Sequence, residues 1–510
     1  MKRIISLLIM IVLLFSTGVI AAETEYKVSD KEINLTTFEP LMDNSLPVIK
    51  EAADLTNVNL ESITPESATN LDQQFNLMMA SGDVADIVGY GDVDKLSQFG
   101  REGAFIPLND LIEKYAPNLN AYLDANPKIR KGITSPDGNI YYIPHVRNEK
   151  VALGWFIRKD WLDKFGLEIP QTVDEYYQAL KTFVEQDAND NGKRDEEPFM
   201  ARFWGNTIPD GFKSLSILWN ARYDWFVDDN GQVHYGQYDP EYKTAMLNLA
   251  KWYEEGLIDK EIFTRGAQCR DILFSENRGA ALVDWFGSTS TYNQKMAETV
   301  DGFNLIPIKP PKGIDGVRRE ASKMTPLGRG QGWSISYSNK FPEETIKYFD
   351  FWWTDRGHRL FNFGIEGETY DVVNGKPTYQ DWMYEQEKAL VHILKDDFGG
   401  YNELMGAKQD IGYVYQSIMP WVRDTYKVYQ EEDYMVDPMP KISFTTEEQK
   451  RVDKLTPDID TYVQEMNQKW VLGAVDVEGT YEEYIQTLKN MDIDELIAIK
   501  QKAYDRYMNK

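Results

Sequence analysis

Oxygen-bearing side chains recur at alternate positions of a short polar loop that begins at Asp187 and ends at Pro198. The oxygen donors fall at positions one, three, five, seven and nine of this loop: Asp187, Asn189, Asn191, the backbone carbonyl of Lys193, and Asp195. Gly192 stands at position six, where a calcium-binding loop makes its sharp turn. Because Ca²⁺ takes about six to eight oxygen ligands, this spacing predicts a calcium site.

The end of the loop departs from the usual calcium-binding template. Position twelve, which carries a bidentate glutamate in an EF-hand, is Pro198 here, so Glu196 or Glu197 would have to complete the shell. The alternative interpretation is a solvated acidic turn without a metal. A closed shell of carboxylate and carbonyl oxygens has no open position, so the predicted role of the ion is to stabilise the loop.

Aromatic and basic side chains near predicted strand and loop ends form a second class of candidate. Trp285 follows a buried apolar segment, and Trp333 ends a long loop rich in Pro, Gly and charge. Arg202 comes shortly after the acidic loop, and Arg222 follows Asn220. Flat rings suit the apolar faces of sugars, and a guanidinium suits a carboxylate. Taken singly, each residue is better interpreted as a core tryptophan or a surface ion pair.

The familiar catalytic motifs are absent from the sequence. Its four histidines, His145, His234, His358 and His392, do not form a metal-binding H-E-x-x-H pair. There is no G-x-S-x-G nucleophile elbow and no phosphate-binding P-loop. A glycosidase with paired carboxylates stays open, because its test is a spatial separation that the sequence does not give.

The charge and composition of the chain limit the classes of partner that it can bind. The chain has 82 acidic and 55 basic side chains, for a net charge of -27. Binding to nucleic acid requires a basic surface, so we expect no nucleic-acid partner. The 13 Trp, 30 Tyr and 23 Phe residues suit both a large core and a carbohydrate site, and composition alone does not separate these interpretations.

The N-terminus predicts export. Lys2 and Arg3 precede the apolar segment 4–15, and small residues follow up to Ala21 and Ala22. This order is typical of a cleaved secretory signal peptide over residues 1–22, and the apolar run is short for a membrane span of about 20 residues. The single cysteine, Cys269, excludes an internal disulfide, and no cysteine for a lipid anchor follows the apolar run. We therefore expect a periplasmic monomer without stable membrane insertion.

The pattern of elements predicts an α/β fold. Strand and helix periodicities alternate over residues 32–88, and the α/β pattern recurs after residue 150. We expect two lobes, each with a mostly parallel sheet and flanking helices, and a ligand-binding cleft between them. The predicted N-lobe comprises residues 23–150 with a return segment at about 288–340. The predicted C-lobe comprises residues 151–287 with the mostly helical segment 341–510.

Several longer segments of the sequence carry a resemblance to a known family. They are LTNV (55–58), QFNLMMASGD (74–83), EGAFIPL (102–108), PDGNIY (136–141), FIRKDWL (156–162), EGLIDKEIFTR (255–265), DWF (284–286), Phe363–Gly364 and Tyr370–Asp371. These segments resemble the family 1 extracellular solute-binding proteins of ABC importers, and within that family the periplasmic alginate-binding proteins. The likeness covers nearly all of the mature chain.

The resemblance implies a binding protein that captures an acidic oligosaccharide, presents it to the membrane subunits of an importer, and is not an enzyme. It implies calcium bound by Asp187, Asn189, Asn191, Lys193, Asp195 and Glu196, and a sugar-stacking role for Trp285. With the candidates from the sequence itself, the predicted ligand-binding residues are Arg202, Asn220, Arg222, Trp285, Ser288, Gln331, Trp333, Tyr370, Tyr413 and Trp421.

The sequence departs from the alginate binders at several binding-loop positions. The segment 37–47 is shorter and lacks their basic and aromatic residues, residues 201–220 differ, and Val414 replaces an expected tryptophan. Alginate oligosaccharides are the predicted ligand, with unsaturated glycosaminoglycan disaccharides and pectin fragments as competitors. A secreted lyase or glycosidase is the alternative from another class, and a surface adhesin is a third.

Overall fold

The structure is a computed structural model that describes residues 26–39, 45–64, 70–204, 208–328, 330–402 and 406–509. The predicted signal peptide, residues 1–22, lies outside the described residues. Across the described ranges, no helix combines the length and the apolar character that crossing a membrane requires.

The strands are short and are distributed along most of the chain. In chain order they are β1 (Ile33–Phe38), β2 (Val58–Ser62), β3 (Ile87–Tyr90), β4 (Ile143–Pro144), β5 (Leu153–Arg158), β6 (Trp225–Val227), β7 (Val233–Tyr235), β8 (Ala281–Trp285), β9 (Leu305–Ile308), β10 (Gly332–Ile335), β11 (Tyr370–Val373) and β12 (Lys376–Tyr379).

Helices make up the larger part of the fold. They are α1 (Pro47–Thr56), α2 (Leu71–Ser81), α3 (Val93–Arg101), α4 (Asn109–Tyr115), α5 (Pro117–Ala125), α6 (Pro127–Ile133), α7 (Lys159–Lys164), α8 (Val173–Glu185), α9 (Phe212–Ser216), α10 (Glu241–Glu254), α11 (Cys269–Ser275), α12 (Phe286–Thr289), α13 (Tyr292–Met296), α14 (Pro342–Phe351), α15 (Asp355–Phe363), α16 (Leu390–His392), α17 (Ile411–Ser417), α18 (Arg423–Glu431), α19 (Thr446–Val471), α20 (Val477–Asn490) and α21 (Ile493–Asn509). Among the shorter turns is a 3-10 helix over Pro420–Val422.

The chain divides into two compact units, each built from two separate stretches of sequence. The first unit comprises Met1–Asn148 and Pro326–Tyr413, and the second comprises Glu149–Thr325 and Val414–Lys510. The boundary near residue 150 agrees with the predicted one. The return segment differs, because residues 288–325 belong to the second unit and residues 341–413 belong to the first. The sequence pattern marks where elements lie but not which sheet each later element joins.

The first unit contains a five-stranded sheet in the order β2-β1-β3-β10-β4. β1 pairs in parallel with β2 and β3, as the alternating strand and helix pattern predicts. β10 enters from the later stretch of the chain and pairs antiparallel with β3 and β4. The sheet is therefore mixed, because a strand that returns from the distant segment is not bound by the direction of the βαβ crossovers.

The second unit corrects the prediction of a mostly parallel sheet in each lobe. Its central sheet has the order β8-β5-β9, and β5 pairs antiparallel with both neighbours. β6 and β7 form a separate antiparallel hairpin. Strand direction depends on the long connections between the strands, which local periodicity does not report. The predicted mixed α/β class is confirmed, whereas the parallel character applies only to part of the first unit.

Local signals explain where several helices begin and end. Thr172 and Glu175 form a reciprocal capping box at the start of α8, which satisfies two backbone amides that the helix leaves unpaired. α2 ends at Gly82, whose φ of 75° lies in the left-handed region that glycine adopts without strain. These residues set the start of α8 and the end of α2.

Trp333 and Gly89 make a close contact in the sheet of the first unit. Trp333 on β10 lies opposite Gly89 on β3, and its indole covers the position that a side chain on Gly89 would occupy. A Cβ atom at Gly89 would lie 2.7 Å from Cζ2 of Trp333. Trp333 is fully buried and lies 5.9 Å from the ring of Phe349. The missing side chain at Gly89 therefore makes room for the indole.

Gly89→Ala should lower the free energy of unfolding by about 1–3 kcal/mol, because a methyl group there forces Trp333 or the sheet to shift. The measurement is denaturant unfolding followed by circular dichroism. Gly91→Ala is the matched control, since a Cβ atom at Gly91 meets no atom within 4 Å. Equal stability of the two variants would contradict this packing.

Candidate functional site

The acidic loop that follows α8 is held in a tight turn by its own side chains. The carboxylate of Asp187 accepts hydrogen bonds from the backbone amides of Asn191 at 3.1 Å and Gly192 at 2.8 Å. Asn191 Oδ1 accepts from the amide of Lys193 at 2.8 Å. Gly192 has a φ of 76°, in keeping with the sharp turn expected at position six. The loop thus draws the predicted oxygen donors into one turn of chain.

The last two predicted ligands close this turn. Asp195 Oδ1 accepts from the side-chain amides of Asn189 at 3.2 Å and Asn191 at 2.9 Å. Glu196 is only 4% exposed, and its Oε2 atom is buried without a hydrogen-bond partner. Burial raises the pKa of Glu196, and the negative charge of Asp187 raises it further. A buried carboxylate oxygen without a donor is an arrangement that a bound cation would satisfy.

Glu197, the other residue that could complete the shell, faces different partners. Its carboxylate forms ion pairs with Arg265 and Arg278. Burial and the neighbouring Asp259 raise the pKa of Glu197 to about 7. Arg278 also donates from Nε to the backbone carbonyl of Asp195 at 2.8 Å, so this cluster supports the end of the loop from behind.

The loop is not a dense carboxylate cluster. Within the part of the chain that the structure describes, no three His, Cys, Asp or Glu side chains converge as a metal-binding group. A calcium shell does not require one, because amide and backbone carbonyl oxygens are also ligands for this hard cation. The predicted set is of that mixed kind.

Trp285 ends β8 in the second unit and is half-buried. The preceding residue, Asp284, is buried and forms ion pairs with two arginines, Arg202 and Arg270. Asp284 Oδ1 also accepts from the backbone amide of Trp285 at 2.6 Å. The strand therefore delivers an aromatic side chain to the unit's surface directly beside a buried carboxylate with two cationic partners.

Arg202 is less accessible than the sequence suggests. Besides Asp284, it lies with Nε 3.8 Å from Asp210, whose pKa is raised by burial. Its guanidinium stands 5.3 Å from the ring of Trp204, which is 57% exposed and donates its indole N–H to Asp210 at 3.2 Å. Arg202 thus connects the buried carboxylate to an exposed aromatic ring.

Arg222 and Asn220 make a separate set of contacts in the same unit. Arg222 pairs with Asp224 at 3.2 Å, donates to the carbonyl of Asp437 at 3.0 Å, and covers the ring of Phe226. Asn220 is exposed, and its Oδ1 accepts from Arg319 at 3.2 Å. Both predicted residues therefore already have protein partners.

Ser288 and Trp421 adjoin the Trp285 region. Ser288 Oγ accepts from Arg270 at 3.0 Å. The backbone amide of Met419 donates to Ser290 Oγ at 3.2 Å, which brings the chain before Trp421 against the residues that follow Trp285. Trp421 itself is half-buried. The contacts of Asp284 and Arg270 thus bring together in one neighbourhood three of the predicted ligand-binding residues, Arg202, Trp285 and Ser288, whereas Trp421 is placed only through the bond between Met419 and Ser290.

The predicted residues of the first unit are mostly core side chains. Trp333 and Tyr370 are fully buried, and Tyr413 is 3% exposed and stacks on Tyr401 with ring centroids 4.1 Å apart. Gln331 is half-buried, and its carbonyl accepts from the amide of His145 at 3.1 Å. The rings of Trp333 and Tyr370 are covered by other side chains in this structure, and this burial speaks against their predicted place among the ligand-binding residues. Sequence pattern alone does not separate a strand-end tryptophan in the core from one at the surface.

Arg270 is the residue of this neighbourhood that the sequence analysis missed. It lies in α11 beside the buried Cys269, and its guanidinium stands 5.3 Å from the ring of Tyr292. The local signal is an arginine beside Asp271 in a helix whose next residues are apolar, a pattern that is also typical of an amphipathic surface helix.

Comparison with known proteins defines the class. A model of the bacterial extracellular solute-binding proteins matches residues 47–358, and the chain belongs to that family. The crystal structure of the alginate-binding protein AlgQ2 without calcium ion is 39% identical, with a TM-score of 0.84 over 94% of this chain and 99% of that chain. The two units are therefore the lobes of a two-lobe periplasmic-binding-protein fold.

Two relatives broaden the range of ligands associated with this family. The fructooligosaccharide ABC transporter substrate-binding protein FusA of Streptococcus pneumoniae serotype 4 (strain ATCC BAA-334 / TIGR4) is 27% identical over 85% of this chain and 82% of its own length. The polygalacturonan/rhamnogalacturonan-binding protein YtcQ of Bacillus subtilis (strain 168) is 24% identical over 93% of this chain and 92% of its own length.

Trp333→Ala should lower the free energy of unfolding by about 3–5 kcal/mol, because it leaves a cavity under Gly89 and Phe349. Trp285→Ala should lower the free energy of unfolding by a clearly smaller amount, because that side chain is half-buried at the end of its strand. Denaturant unfolding of both variants checks the difference. A larger loss from Trp285→Ala would contradict the assignment of Trp333 to the core and Trp285 to the surface.

Proposed function

We propose that this protein is the substrate-binding component of an ABC importer and captures acidic, uronate-containing oligosaccharides, with alginate oligosaccharides as the favoured ligand. The observation that carries the proposal is the likeness to the alginate-binding protein AlgQ2, at 39% identity over 94% of the chain. The polygalacturonan/rhamnogalacturonan-binding relative supports an acidic ligand in the wider family. The membrane subunits of the importer are the proposed partners, and the proposed location is outside the cytoplasmic membrane.

Trp285 is the proposed stacking residue. It is half-buried at the end of a rigid strand, and the bond from its amide to Asp284 fixes the backbone there. Sugars present apolar C–H faces that suit a flat ring, and a side chain on a strand end loses little conformational freedom when it binds. Trp204 and Trp421 supply further aromatic surface in the same unit.

An arginine that binds the carboxylate of a sugar would also have to keep its ion pair with an aspartate of the protein. Arg202 already pairs with Asp284, and Arg222 already pairs with Asp224. A guanidinium carries several N–H donors, so a second carboxylate can be accommodated beside the first. The net charge of -27 does not prevent this, because salt screens the distant charges beyond a Debye length of about 8 Å.

The same pairing favours a second candidate, which is a neutral oligosaccharide. Arginines that are already matched by aspartates leave less positive charge for an acidic ligand. The relative that is a fructooligosaccharide-binding protein is consistent with this alternative. Capture without chemical change is common to both candidates and separates them from a lyase or glycosidase.

Calorimetric titration with oligosaccharides of alginate, polygalacturonate and chondroitin, and with a neutral fructooligosaccharide, tests the proposal. We expect binding of a uronate oligosaccharide and weak or no binding of the neutral one. Mass spectrometry after long incubation should return the ligand with its chain length unchanged. Binding of the neutral sugar alone would overturn the acidic assignment, and shortened or newly unsaturated products would overturn capture.

Trp285→Ala should weaken binding of the preferred oligosaccharide by about 2 kcal/mol, or about thirtyfold in Kd, because a buried aromatic contact is lost from the ligand interface. Trp382→Ala is the matched control: that tryptophan is also half-buried, but its indole N–H is bonded to the carbonyl of Glu368 in the first unit. Unchanged affinity of the Trp285 variant would contradict stacking.

We further propose that the loop after α8 binds calcium. The proposed ligands are Asp187, Asn189, Asn191, the carbonyl of Lys193, Asp195 and Glu196. The buried and unpartnered Oε2 of Glu196 supports this assignment, together with the side chains of Asp187 and Asp195 that close the same turn. A bound calcium ion would compensate the negative charges of these carboxylates. The hydrogen bonds among these residues hold the loop in its turn.

Removal of calcium with a chelator should lower the apparent Tm, because a cation present at about 100 times its Kd adds about 2.7 kcal/mol to the free energy of unfolding. Glu196→Gln should reduce calcium affinity by about tenfold or more, since it removes one charged ligand. In chelator the same variant should be at least as stable as the wild type, because it no longer buries an unpaired carboxylate.

Asp190→Asn is the control for the loop. Asp190 lies within the same turn but pairs with Lys164 and is 81% exposed, so its loss should leave calcium affinity nearly unchanged. If Glu196→Gln and Asp190→Asn have the same calcium affinity as the wild type, the proposed shell is wrong.

A further inference from the structure

We propose that Arg270 is a positioning residue for Trp285, which it holds by bonding to side chains on both sides of that tryptophan. The ligand-stacking role of Trp285 rests on the proposed function, whereas the positioning itself is a property of the unliganded protein. Neither the family resemblance nor the sequence pattern pointed to Arg270.

One nitrogen of Arg270 makes the decisive contacts. Its Nη1 lies 3.1 Å from Asp284 Oδ2, just before Trp285 in the chain. The same nitrogen donates to Ser288 Oγ and Thr289 Oγ1, each at 3.0 Å, just after Trp285. The turn that carries the indole is therefore tied at both ends to a single guanidinium from another helix.

Asp284 extends this tie to the backbone of Trp285 itself. While Oδ2 faces Arg270, Oδ1 accepts from the amide of Trp285 at 2.6 Å and from Arg202. Asp284 is 2% exposed, so its charge depends on these two arginines for compensation. Removal of Arg270 would take away the guanidinium that faces Oδ2 of Asp284, while Arg202 and the amide of Trp285 would still hold Oδ1.

Arg270 is itself held firmly. It extends from α11, whose residues Leu273 and Phe274 are fully buried, and its guanidinium lies over Tyr292. Phe274 packs on Tyr292 with ring centroids 5.0 Å apart. The guanidinium is thus fixed between a buried helix and an aromatic ring, as a positioning group must be.

Burial distinguishes this role from direct contact with a ligand. The side chain of Arg270 is only 10% exposed, and its Nε atom is buried without a hydrogen-bond partner. A ligand carboxylate would have to displace protein groups to reach it. The geometry therefore points to an effect that is transmitted through Trp285.

Fluorine NMR of the full protein labelled with 5-fluorotryptophan tests the positioning without any ligand. The resonance of Trp285 is assigned by its loss in Trp285→Phe. Arg270→Gln and the milder Arg270→Lys should shift or broaden this resonance. Arg506→Gln is the matched control, because Arg506 also pairs with a buried carboxylate, that of Glu448, but in the C-terminal helices. A Trp285 resonance that is unchanged in both Arg270 variants overturns the proposal.

A double-mutant cycle with an alginate oligosaccharide tests the functional consequence by calorimetry. Arg270→Gln, or Arg270→Lys if the first variant does not fold, should weaken binding by about tenfold in the wild-type background. It should weaken binding no further when Trp285 is already alanine. An equal loss in both backgrounds would mean that Arg270 acts independently of Trp285 and would overturn the proposal. If the wild type binds no uronate oligosaccharide, the proposed function fails, while the fluorine spectra still decide the positioning role.

Discussion

A buried carboxylate needs positive charge close to it, and Asp284 obtains it from two arginines that lie far apart in the chain. Arg202 follows the acidic loop, and Arg270 lies in α11. The pairing of both with one aspartate fastens the end of β8 to two other segments of the second unit. Breaking a buried ion pair lowers stability by several kcal/mol, because one charge is left uncompensated. The ion pairs of Asp284 therefore constrain the position of Trp285, which follows it at the end of the strand.

The loop that precedes Arg202 also contains buried carboxylates that need positive charge close to them. Glu197 meets Arg265 and Arg278, and Arg278 also holds the carbonyl of Asp195. Glu196, one residue earlier, has a buried oxygen without a donor. Two adjacent glutamates thus differ in how their charge is matched, one by protein cations and the other, in our proposal, by calcium.

The sequence was sufficient for most local structure because local structure has local causes. The Thr172 capping box, the glycine at position 82 and the strict spacing of the acidic loop each act over a few residues. The direction of β8 against β5, the return of the chain to the first unit at Pro326, and the burial of Trp333 depend on partners more than a hundred residues away. Arg270 was missed for the same reason, since its importance comes from Asp284 and Ser288 and not from its neighbours in α11.

Trp285 and Trp333 illustrate the limit most clearly. Both follow similar sequence signals, yet one indole fills the space above Gly89 and the other ends its strand half-exposed. The two arginines predicted to meet a sugar carboxylate also proved to be paired with aspartates. The proposed ligand therefore rests on the likeness to an alginate-binding protein. The proposal of how the ligand is held rests on the geometry of the second unit.

A crystal structure of the protein with a bound alginate oligosaccharide tests the central claim most directly. We expect a uronate ring that lies flat against the indole of Trp285, with its carboxylate bonded to an arginine and the Arg270–Asp284 contact intact. An oligosaccharide bound away from Trp285, or a Trp285 indole turned into the core with the ligand in place, would contradict it.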